Sequence, residues 1–270
     1  MTELPPLADT HCHLCLGEFT ADVEDVLARS RRAGVDRILV PGIDLDSSRR
    51  AIELAEAHDE IYAAVGVHPH KAADYTPEVR AALRRLAEAP KVVAIGEIGL
   101  DFYRNLSPRQ AQERAFADQL DLAAEVSLPV VVHNREATEA VLATLLPWAA
   151  RRDHPGVLHA YSSDTATADQ AAAAGFFFGI AGPITYPTAG AAVDVAARLP
   201  MQAVLTETDA PYLTPHPHRG HRNEPAHVAL VAEALARIWA QDIGQTRRMA
   251  WDNADALFHW TDGTQDRHLL

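Results

Sequence analysis

The segment Ala8-Asp9-Thr10-His11-Cys12-His13, near the start of the chain, predicts the end of a first β-strand. Because side chains alternate along a strand, His11 and His13 lie on one side and Cys12 lies on the other. Two imidazoles at a strand end suit a metal ion, although such a short pair also arises in proteins that bind no metal. Cys12, which faces away, is expected to be a small buried apolar residue.

Seven more short apolar segments follow at fairly even intervals, and most are rich in β-branched residues, as buried parallel strands are. The eight predicted strands cover residues 7–12, 37–41, 61–67, 92–95, 129–132, 156–159, 175–180 and 203–206. Stretches of helical period separate them. Eight strand-then-helix units predict an α/β fold, the (β/α)8 TIM barrel. The alternative, a doubly wound open sheet, would carry a glycine-rich phosphate loop after the first strand, and residues 9–13 contain no glycine.

The barrel is predicted to form a single domain over residues 1–260, with extra C-terminal helices over 223–240 and 249–260. The polar segment 261–270 is predicted to be a disordered tail. A chain of 270 residues with 48% hydrophobic composition is long enough to bury a sizeable core.

The net charge limits the kinds of partner that the protein can bind. Asp and Glu outnumber Lys and Arg by 37 to 24, which gives a formal charge of −13. Modules that hold nucleic acid along its backbone are usually basic, so this balance argues against broad DNA binding. It remains compatible with an enzyme that contacts a few phosphates through metal ions. The sequence suggests no obligate protein partner.

The cysteines and the terminal segment predict a cytoplasmic location. Cys12 and Cys15 are too close along a strand for good disulfide geometry. Residues 1–6 lack the basic and apolar regions of a signal peptide. No segment approaches the ~18 apolar residues of a membrane span, so no membrane association is expected.

Polar residues recur where the predicted strands end. They are His11, His13, His68, Glu97, His133, His159 and Asp209. Barrel enzymes place their active sites at the C-terminal ends of the strands, so these side chains are expected to converge on one mouth. Any one of the histidines alone is more often an exposed or hydrogen-bonded residue than a ligand. Their shared placement favours metal binding.

Four imidazoles and two carboxylates are enough to hold two divalent ions. We assign His11, His13 and Asp209 to one ion, His133 and His159 to the other, and Glu97 to both. Each ion then keeps open positions for water, as catalytic rather than structural sites do. Histidine-rich ligation suits Zn²⁺ or Mn²⁺.

Motifs at these strand ends carry a resemblance to a known family. They are Asp9-Thr10-His11-Cys12-His13, Gly66-Val67-His68-Pro69-His70, Gly96-Glu97-Ile98-Gly99-Leu100-Asp101, Pro129-Val130-Val131-Val132-His133-Asn134-Arg135, Glu207-Thr208-Asp209-Ala210-Pro211-Tyr212-Leu213 and Arg222-Asn223-Glu224-Pro225. Together they resemble the TatD family of metal-dependent deoxyribonucleases, a branch of the amidohydrolase-like barrels. The resemblance implies a TIM barrel, the metal ligands assigned above and hydrolysis of phosphodiester bonds, with DNA as the substrate. Mg²⁺ is the metal usually described for these nucleases.

The chain departs from the family pattern in two loops. After His159 the family usually has Cys-Phe-Ser-Gly, whereas this chain has Ala160-Tyr161-Ser162-Ser163. After the eighth strand, His221 replaces a lysine, which removes a fixed positive charge that could meet a phosphate. Both changes bear on substrate choice more than on metal binding.

The ligand set suggests roles in catalysis. Paired ions would lower the pKa of a water that bridges them, and Asp209 could take its proton, while Glu97 joins the two sites. His68 is not needed as a ligand, so it either contacts the phosphate, donates a proton to the leaving oxygen, or packs beside Pro69. Asp101 is expected to orient a ligand histidine.

Residues around the mouth are candidates for substrate binding. Arg135, Arg219 and Arg222 are candidate phosphate contacts, with solvated surface arginines as the nearly equal alternative. Tyr103 and Tyr212 could stack on a base, or could serve as ordinary core or surface aromatic residues.

Three functions therefore compete. The first is a two-metal deoxyribonuclease, taken as the 3'-5' exonuclease type. A barrel mouth is a pit rather than a long groove, which favours stepwise cleavage from an end but does not fix which end. The second is a hydrolase of a small-molecule ester, amide or lactone, or of aminoacyl-tRNA, since a fold does not fix its substrate. Several such barrels bridge their metals with a carbamylated lysine, whereas Glu97 stands at that position here. The third, a non-catalytic binding protein, would be expected to have lost ligands, and none is missing.

Overall fold

The computed structural model describes residues 4–150 and 152–260, so the predicted tail over 261–270 lies outside the described residues. Within them, eight strands alternate with helices and a ninth helix follows. The strands are β1 (Leu7–Asp9), β2 (Val35–Pro41), β3 (Ile61–Val65), β4 (Val92–Asp101), β5 (Val130–Arg135), β6 (Gly156–Leu158), β7 (Phe177–Ile180) and β8 (Val204–Thr206). The α-helices are α1 (Val23–Arg32), α2 (Leu45–Ala57), α3 (Pro77–Leu86), α4 (Arg109–Glu125), α5 (Thr138–Ala149), α6 (Thr165–Ala173), α7 (Gly190–Ala196), α8 (Val228–Ile238) and α9 (Ile243–Phe258).

The strands form one parallel sheet in the order β1 to β8, and contacts between β8 and β1 close it. The Thr10 N–H donates to the Thr206 carbonyl at 3.0 Å, and the Thr206 hydroxyl donates to the Ala8 carbonyl at 2.9 Å. A parallel bridge joins Cys12 to Ala210. The predicted (β/α)8 barrel is confirmed, while its boundary at residue 260 stays a prediction. The C-terminal ends of all eight strands therefore face one mouth.

Local sequence signals fix where the helices begin. Asp44 accepts a hydrogen bond from the Ser47 N–H at 2.8 Å, and the Asp44 N–H donates back to the Ser47 hydroxyl at 3.0 Å. This reciprocal pair is a capping box, and it starts α2. Thr76 accepts from the Val79 N–H at 3.3 Å, and Pro77 supplies a preset backbone angle for the first turn of α3.

β4 is longer than its apolar run predicts. It was expected to end at residue 95, but it continues to Asp101, so Glu97 lies inside the strand instead of after it. Two glycines let the backbone pass where side chains would collide. A Cβ on Gly96 would meet Val131 of β5, and Gly99 has a φ of +134° in the region that only glycine adopts readily.

The N-terminal end of the barrel is closed by apolar side chains from the end of the chain. The Tyr62 hydroxyl, at the start of β3, donates to the Trp260 carbonyl at 2.6 Å. The Trp260 ring lies 5.2 Å from the Phe258 ring, and both residues are buried. The Arg37 guanidinium lies 5.9 Å from the Tyr62 ring centre, where a cation and an aromatic face attract one another. This end of the barrel is a packed plug, opposite to the mouth.

The C-terminal helices differ from the prediction in their bounds. A short 3₁₀ turn over Pro225–His227 precedes α8, so the helix starts at Val228 and not at residue 223. α9 starts at Ile243 instead of residue 249, because Asp242 caps it by accepting from the Gly244 N–H at 2.8 Å. In the described ranges, no helix combines the length and the apolar character needed to cross a membrane.

Candidate metal centre

Seven polar side chains meet at the mouth of the barrel. They are His11, His13, His68, Glu97, His133, His159 and Asp209. The structure brings all of these predicted site residues together. β1 ends at Asp9, so His11 and His13 lie on an extension of the strand, yet they still face the same side. Even the most exposed of the seven side chains, that of His133, is only 17% exposed, so water is largely excluded between them.

The first group of candidate ligand atoms is contributed by residues that are far apart in the sequence. His11 Nε2 and His13 Nε2 lie 3.1 Å apart, and each is 3.4 Å from Glu97 Oε2. Asp209 Oδ1 is 3.6 Å from His11 Nε2 and 3.5 Å from His13 Nε2. Four atoms around one tetrahedral ion, each about 2.0–2.1 Å from it, lie about 3.3 Å from one another. The group therefore has the size and the donor chemistry of a single metal site.

The second group surrounds the other oxygen of the same carboxylate. Glu97 Oε1 is 2.9 Å from His133 Nδ1 and 2.9 Å from His159 Nε2, and these two nitrogens are 3.3 Å apart. His68 Nε2 lies 3.4 Å from the same oxygen. The spacing of the Glu97, His133 and His159 atoms again matches the ligands of one ion, and the His68 ring lies in the same compact cluster.

Glu97 thus turns one oxygen to each group of histidines. Burial alone would raise the pKa of this carboxyl, but the imidazoles that surround it together lower it well below its ordinary value. A buried carboxylate that stays ionised and has two separate sets of nitrogen neighbours is suited to bridge two cations. The arrangement agrees with the bridging position that the sequence assigns to Glu97.

The tautomer of His68 distinguishes it from the other histidines. Its Nδ1 accepts a hydrogen bond from the His70 N–H at 3.1 Å, so a neutral ring carries its proton on Nε2. Burial lowers the pKa of His68 to about 4, which keeps the ring neutral at neutral pH. His68 therefore presents an N–H donor to the centre, whereas a metal ligand presents a lone pair.

Two further carboxylates lie behind the histidines of the second group. His133 turns Nε2 to Asp101 Oδ2 at 3.3 Å, and His159 turns Nδ1 to Glu207 Oε1 at 3.5 Å. A carboxylate behind a metal-binding imidazole fixes its orientation and strengthens it as a ligand. The position of Asp101 agrees with the orienting role expected from the sequence. Asp101 also holds His70, whose Nε2 is 2.7 Å away.

Glu207 is the functional residue that the sequence reasoning missed. It is completely buried, and its Oε1 accepts from the Ala160 N–H at 2.6 Å. The backbone of Gly179 packs directly against this carboxylate, and a Cβ there would collide with it. Glu207 precedes Asp209 by two residues, and the alternation that paired His11 with His13 would have placed both carboxylates on one side. Its ligand atom also groups with those of His11 and His159.

The backbone around Asp209 is held in an unusual conformation. Its φ of +55° lies in the left-handed region, which costs energy for a residue other than glycine. The Asp209 N–H donates to the His11 carbonyl at 2.8 Å, and the His13 N–H donates to the Ala210 carbonyl at 2.8 Å. Burial would raise the pKa of Asp209, but the hydrogen bond with His13 and the other imidazoles around it together lower it. The carboxylate is therefore charged and held within the first group.

Aromatic and basic side chains surround the mouth. The Arg135 guanidinium lies 4.0 Å from the centre of the Tyr103 ring, and the Arg219 guanidinium lies 4.3 Å from that of Tyr186. Tyr103 is 56% exposed and Tyr212 is 51% exposed. These flat surfaces are open to solvent, as a platform for an unstacked base must be.

Arg222 has a different environment from the one expected for a phosphate contact. Its guanidinium donates to both oxygens of Asp22, at 2.9 and 2.7 Å, and to Glu224 at 3.1 Å. Two carboxylates already satisfy this charge, so Arg222 joins the loop after β8 to the start of α1. Arg135 has, within residues 4–150 and 152–260, no carboxylate partner, and it remains the better candidate for substrate binding.

Comparisons with known proteins identify the family to which the chain is related. The family model described as TatD related DNase matches residues 8–259. A Bacillus subtilis (strain 168) protein named as the uncharacterized metal-dependent hydrolase YabD is 39% identical over 252 residues, which cover 93% of this chain and 98% of that protein. The 3'-5' ssDNA/RNA exonuclease TatD of Erwinia tasmaniensis is 38% identical over 257 residues, covering 93% and 99% of the two chains.

Solved structures give the same result. The crystal structure of YjjV, a TatD homologue from Escherichia coli K12, superimposes with a TM-score of 0.89 at 32% identity, covering 94% of this chain and 98% of the other. The match of the family model spans nearly all described residues, from β1 to the end of α9. With its buried histidine and carboxylate centre at the mouth of a TIM barrel, the chain belongs to the family of TatD related DNases, which are metal-dependent hydrolases of phosphodiester bonds.

Proposed function

We propose that the protein is a two-metal exonuclease that removes nucleotides one at a time from the 3' end of single-stranded DNA. The observation that carries the proposal is that the two oxygens of Glu97 face two separate sets of imidazole nitrogens. One oxygen lies 3.4 Å from each nitrogen of the first set, and the other lies 2.9 Å from two nitrogens of the second set. Two divalent ions held by these two sets of side chains would suit in-line displacement at phosphorus, where both the attacking and the leaving oxygen need stabilisation. Zn²⁺, Mn²⁺ and Mg²⁺ are the candidate ions.

The shape and charge of the molecule favour a chain end as the substrate. The centre lies at the bottom of a barrel mouth, where a free end fits more easily than the middle of a duplex. The net charge of −13 opposes long contacts with a polyanion, so a short contact near the centre is the compatible mode. The exposed rings of Tyr103 and Tyr212 offer faces on which single-stranded bases can stack.

The chain's own residues can carry out the proton transfers. Divalent ions at such a centre lower the pKa of water and neutralise charge on the phosphate oxygens. Asp209 is a fixed, ionised carboxylate within the first group, and it accepts the proton of the attacking water. His68 directs its Nε2–H into the centre, and it donates to the phosphate or to the leaving oxygen. The Asp101 and Glu207 carboxylates lie behind the imidazoles of His133 and His159 and orient these rings towards the centre.

We also propose a cytoplasmic location without an obligate protein partner. Cys12 and Cys15 are both buried free thiols, which suits a reducing compartment. A small contact at the end of a nucleic acid requires no second protein chain.

The test uses protein stripped of metal and reloaded separately with Mg²⁺, Mn²⁺ or Zn²⁺. With a 5'-labelled single strand, 3'-5' digestion gives a ladder of labelled products that shorten with time. With a 3'-labelled strand, it releases labelled mononucleotide at once. Glu97→Ala is expected to lose both metal ions and all cleavage, whereas Glu113→Ala, an exposed carboxylate on α4, is the matched control and retains both.

Other outcomes would redirect the proposal. Release of mononucleotide from the 5' end would reverse the polarity, and cleavage of RNA alone would change the substrate. Protein shown to hold two ions but inactive on every oligonucleotide would favour a hydrolase of small esters, amides or aminoacyl-tRNA.

A further inference from the structure

A polar cleft of about 360 Å³ lies between the loops that follow β5 and β6. Its size falls at the lower end of the ~300–1,000 Å³ range of ligand pockets. Asn134, which lines it, directly follows His133, and Ser163 lies four residues after His159. Arg135 also lines the cleft, and it lies two residues after His133 on β5, on the same side of the strand. The cleft therefore lies at the rim of the mouth, beside the loops that follow His133 and His159.

Three side chains in the cleft are joined by hydrogen bonds, and one hydroxyl hydrogen among them takes no part in these bonds. The Asn134 amide donates to the Thr138 hydroxyl at 2.9 Å and to the Ser163 hydroxyl at 3.4 Å, and the two hydroxyl oxygens lie 3.0 Å apart. Each hydroxyl carries one hydrogen, and only one of these two hydrogens can lie between the two oxygens as a hydrogen bond. The other hydroxyl hydrogen has no partner within the described residues, so it is available to a ligand.

The charges that line the cleft decide which part of a substrate fits. Arg135 contributes one positive charge, whereas Glu136 and Asp164 contribute two negative charges. Asp164 stays ionised, because its hydrogen bonds at the start of α6 lower its pKa. An additional phosphate would meet net repulsion here. An uncharged sugar or base with hydrogen-bonding groups fits better, with the stacked pair of Arg135 and Tyr103 as a flat outer wall.

We propose that this cleft binds the nucleoside attached to the scissile phosphate, with Thr138 and Ser163 contacting its sugar or base edge. This inference rests on the proposed nuclease function and adds a binding site to it. The contact is made with the sugar or base edge and not with the reacting atoms themselves, so we expect it to strengthen substrate and transition-state binding equally. Its loss is therefore expected in KM, with kcat retained.

The experiment compares two substrates that share a phosphodiester but not a nucleoside. The substrates are a short oligothymidylate and bis(4-nitrophenyl) phosphate. Thr138→Val removes one hydroxyl at nearly constant volume, and it is expected to raise KM for the oligonucleotide about 3- to 10-fold, as the loss of one or two neutral hydrogen bonds does. Ser163→Leu fills the cleft, and it is expected to raise this KM more than 10-fold. Neither variant should change hydrolysis of the aryl diester or the number of bound metal ions by more than a small margin.

Thr144→Val is the matched control, because Thr144 lies on the same helix and its hydroxyl bonds only to the Ala140 carbonyl. An unchanged KM in both cleft variants would overturn the proposal, as would equal losses on the two substrates, which indicate damage to the metal centre. A wild-type protein that hydrolyses the aryl diester but no oligonucleotide would instead overturn the nuclease function, and the cleft proposal with it.

Discussion

At the scale of single residues, the candidate metal centre includes carboxylates that lie behind its histidines. The Glu207 carboxylate is buried behind His159, and its second oxygen has no hydrogen-bond partner among the described residues. Removing the charge of such a group leaves the imidazole in place but weakens it as a ligand.

Glu207→Gln is therefore expected to weaken metal binding about 10- to 100-fold while the protein remains folded. Competition with a chromophoric chelator measures the affinity, and circular dichroism checks the fold. Asp101→Asn should give a similar loss through His133, and Glu113→Gln on the surface should give none. Metal affinity equal to that of the wild type in Glu207→Gln would show that this carboxylate only fills space.

The residues that surround Glu97 could be predicted because each of them stands at or near the end of a predicted strand, and the strands themselves are visible in local sequence patterns. The same reasoning could have found Glu207, which stands two residues before Asp209. The partner of Arg222 was beyond the reach of local patterns, because Asp22 lies 200 positions away in the chain. Whether an arginine is free for a phosphate depends on such distant neighbours.

At the scale of elements, a network of two arginines and two carboxylates joins α1 to the loop after β8. Arg29 donates to both Glu224 oxygens, at 2.6 and 2.9 Å, and Arg222 pairs with Asp22. Burial would raise the pKa of Glu224, but the hydrogen bonds from Arg29 and Arg222 lower it. The network holds the loop that leads away from Asp209.

A carboxyl whose pKa is lowered on folding stabilises the protein above its ordinary pKa, and this stabilisation is lost as the pH falls through the lower folded value. Glu224→Gln should therefore reduce the free energy of unfolding by about 1–2 kcal/mol at pH 7, as charged hydrogen bonds that are partly exposed do. The difference should be smaller at pH 3 than at pH 7, because pH 3 lies below the ordinary pKa of a glutamate, about 4.3. Urea unfolding at both pH values measures it, with Glu233→Gln on α8 as the control. A difference that is the same at both pH values would exclude an electrostatic origin.

The lengths of the elements were harder to predict than their existence. The apolar run 92–95 predicts β4, but the glycines that follow it usually mark the end of a strand. Here Gly96 lies inside the strand because its backbone packs directly against Val131. This contact is visible only in three dimensions. In the same way, α9 begins at its cap, Asp242, and not at the first apolar residue of the predicted helix.

At the scale of the whole molecule, stability and chemistry lie at opposite ends of the barrel. Tyr62, Phe258 and Trp260 close the N-terminal end, while the histidines and carboxylates occupy the C-terminal mouth. Barrel folds commonly separate the two in this way.

Trp260→Ala is therefore expected to cost about 3–5 kcal/mol of unfolding free energy, as other deletions of a buried aromatic ring do. The number of bound metal ions and the kcat should be unchanged well below the unfolding temperature. Calorimetry and metal analysis on the same sample measure both quantities. Loss of a metal ion from the folded variant would show that the plug and the mouth are coupled.

The closure between β8 and β1 also has a consequence for protein synthesis. The Asp9 carboxylate accepts hydrogen bonds from Thr208, which lies 199 residues further along the chain. The first group of ligands likewise needs His11 and Asp209 together. A growing chain on the ribosome therefore has no complete centre until the eighth strand has emerged. Unfinished translation products, which lie beside messenger RNA, cannot assemble this nuclease site.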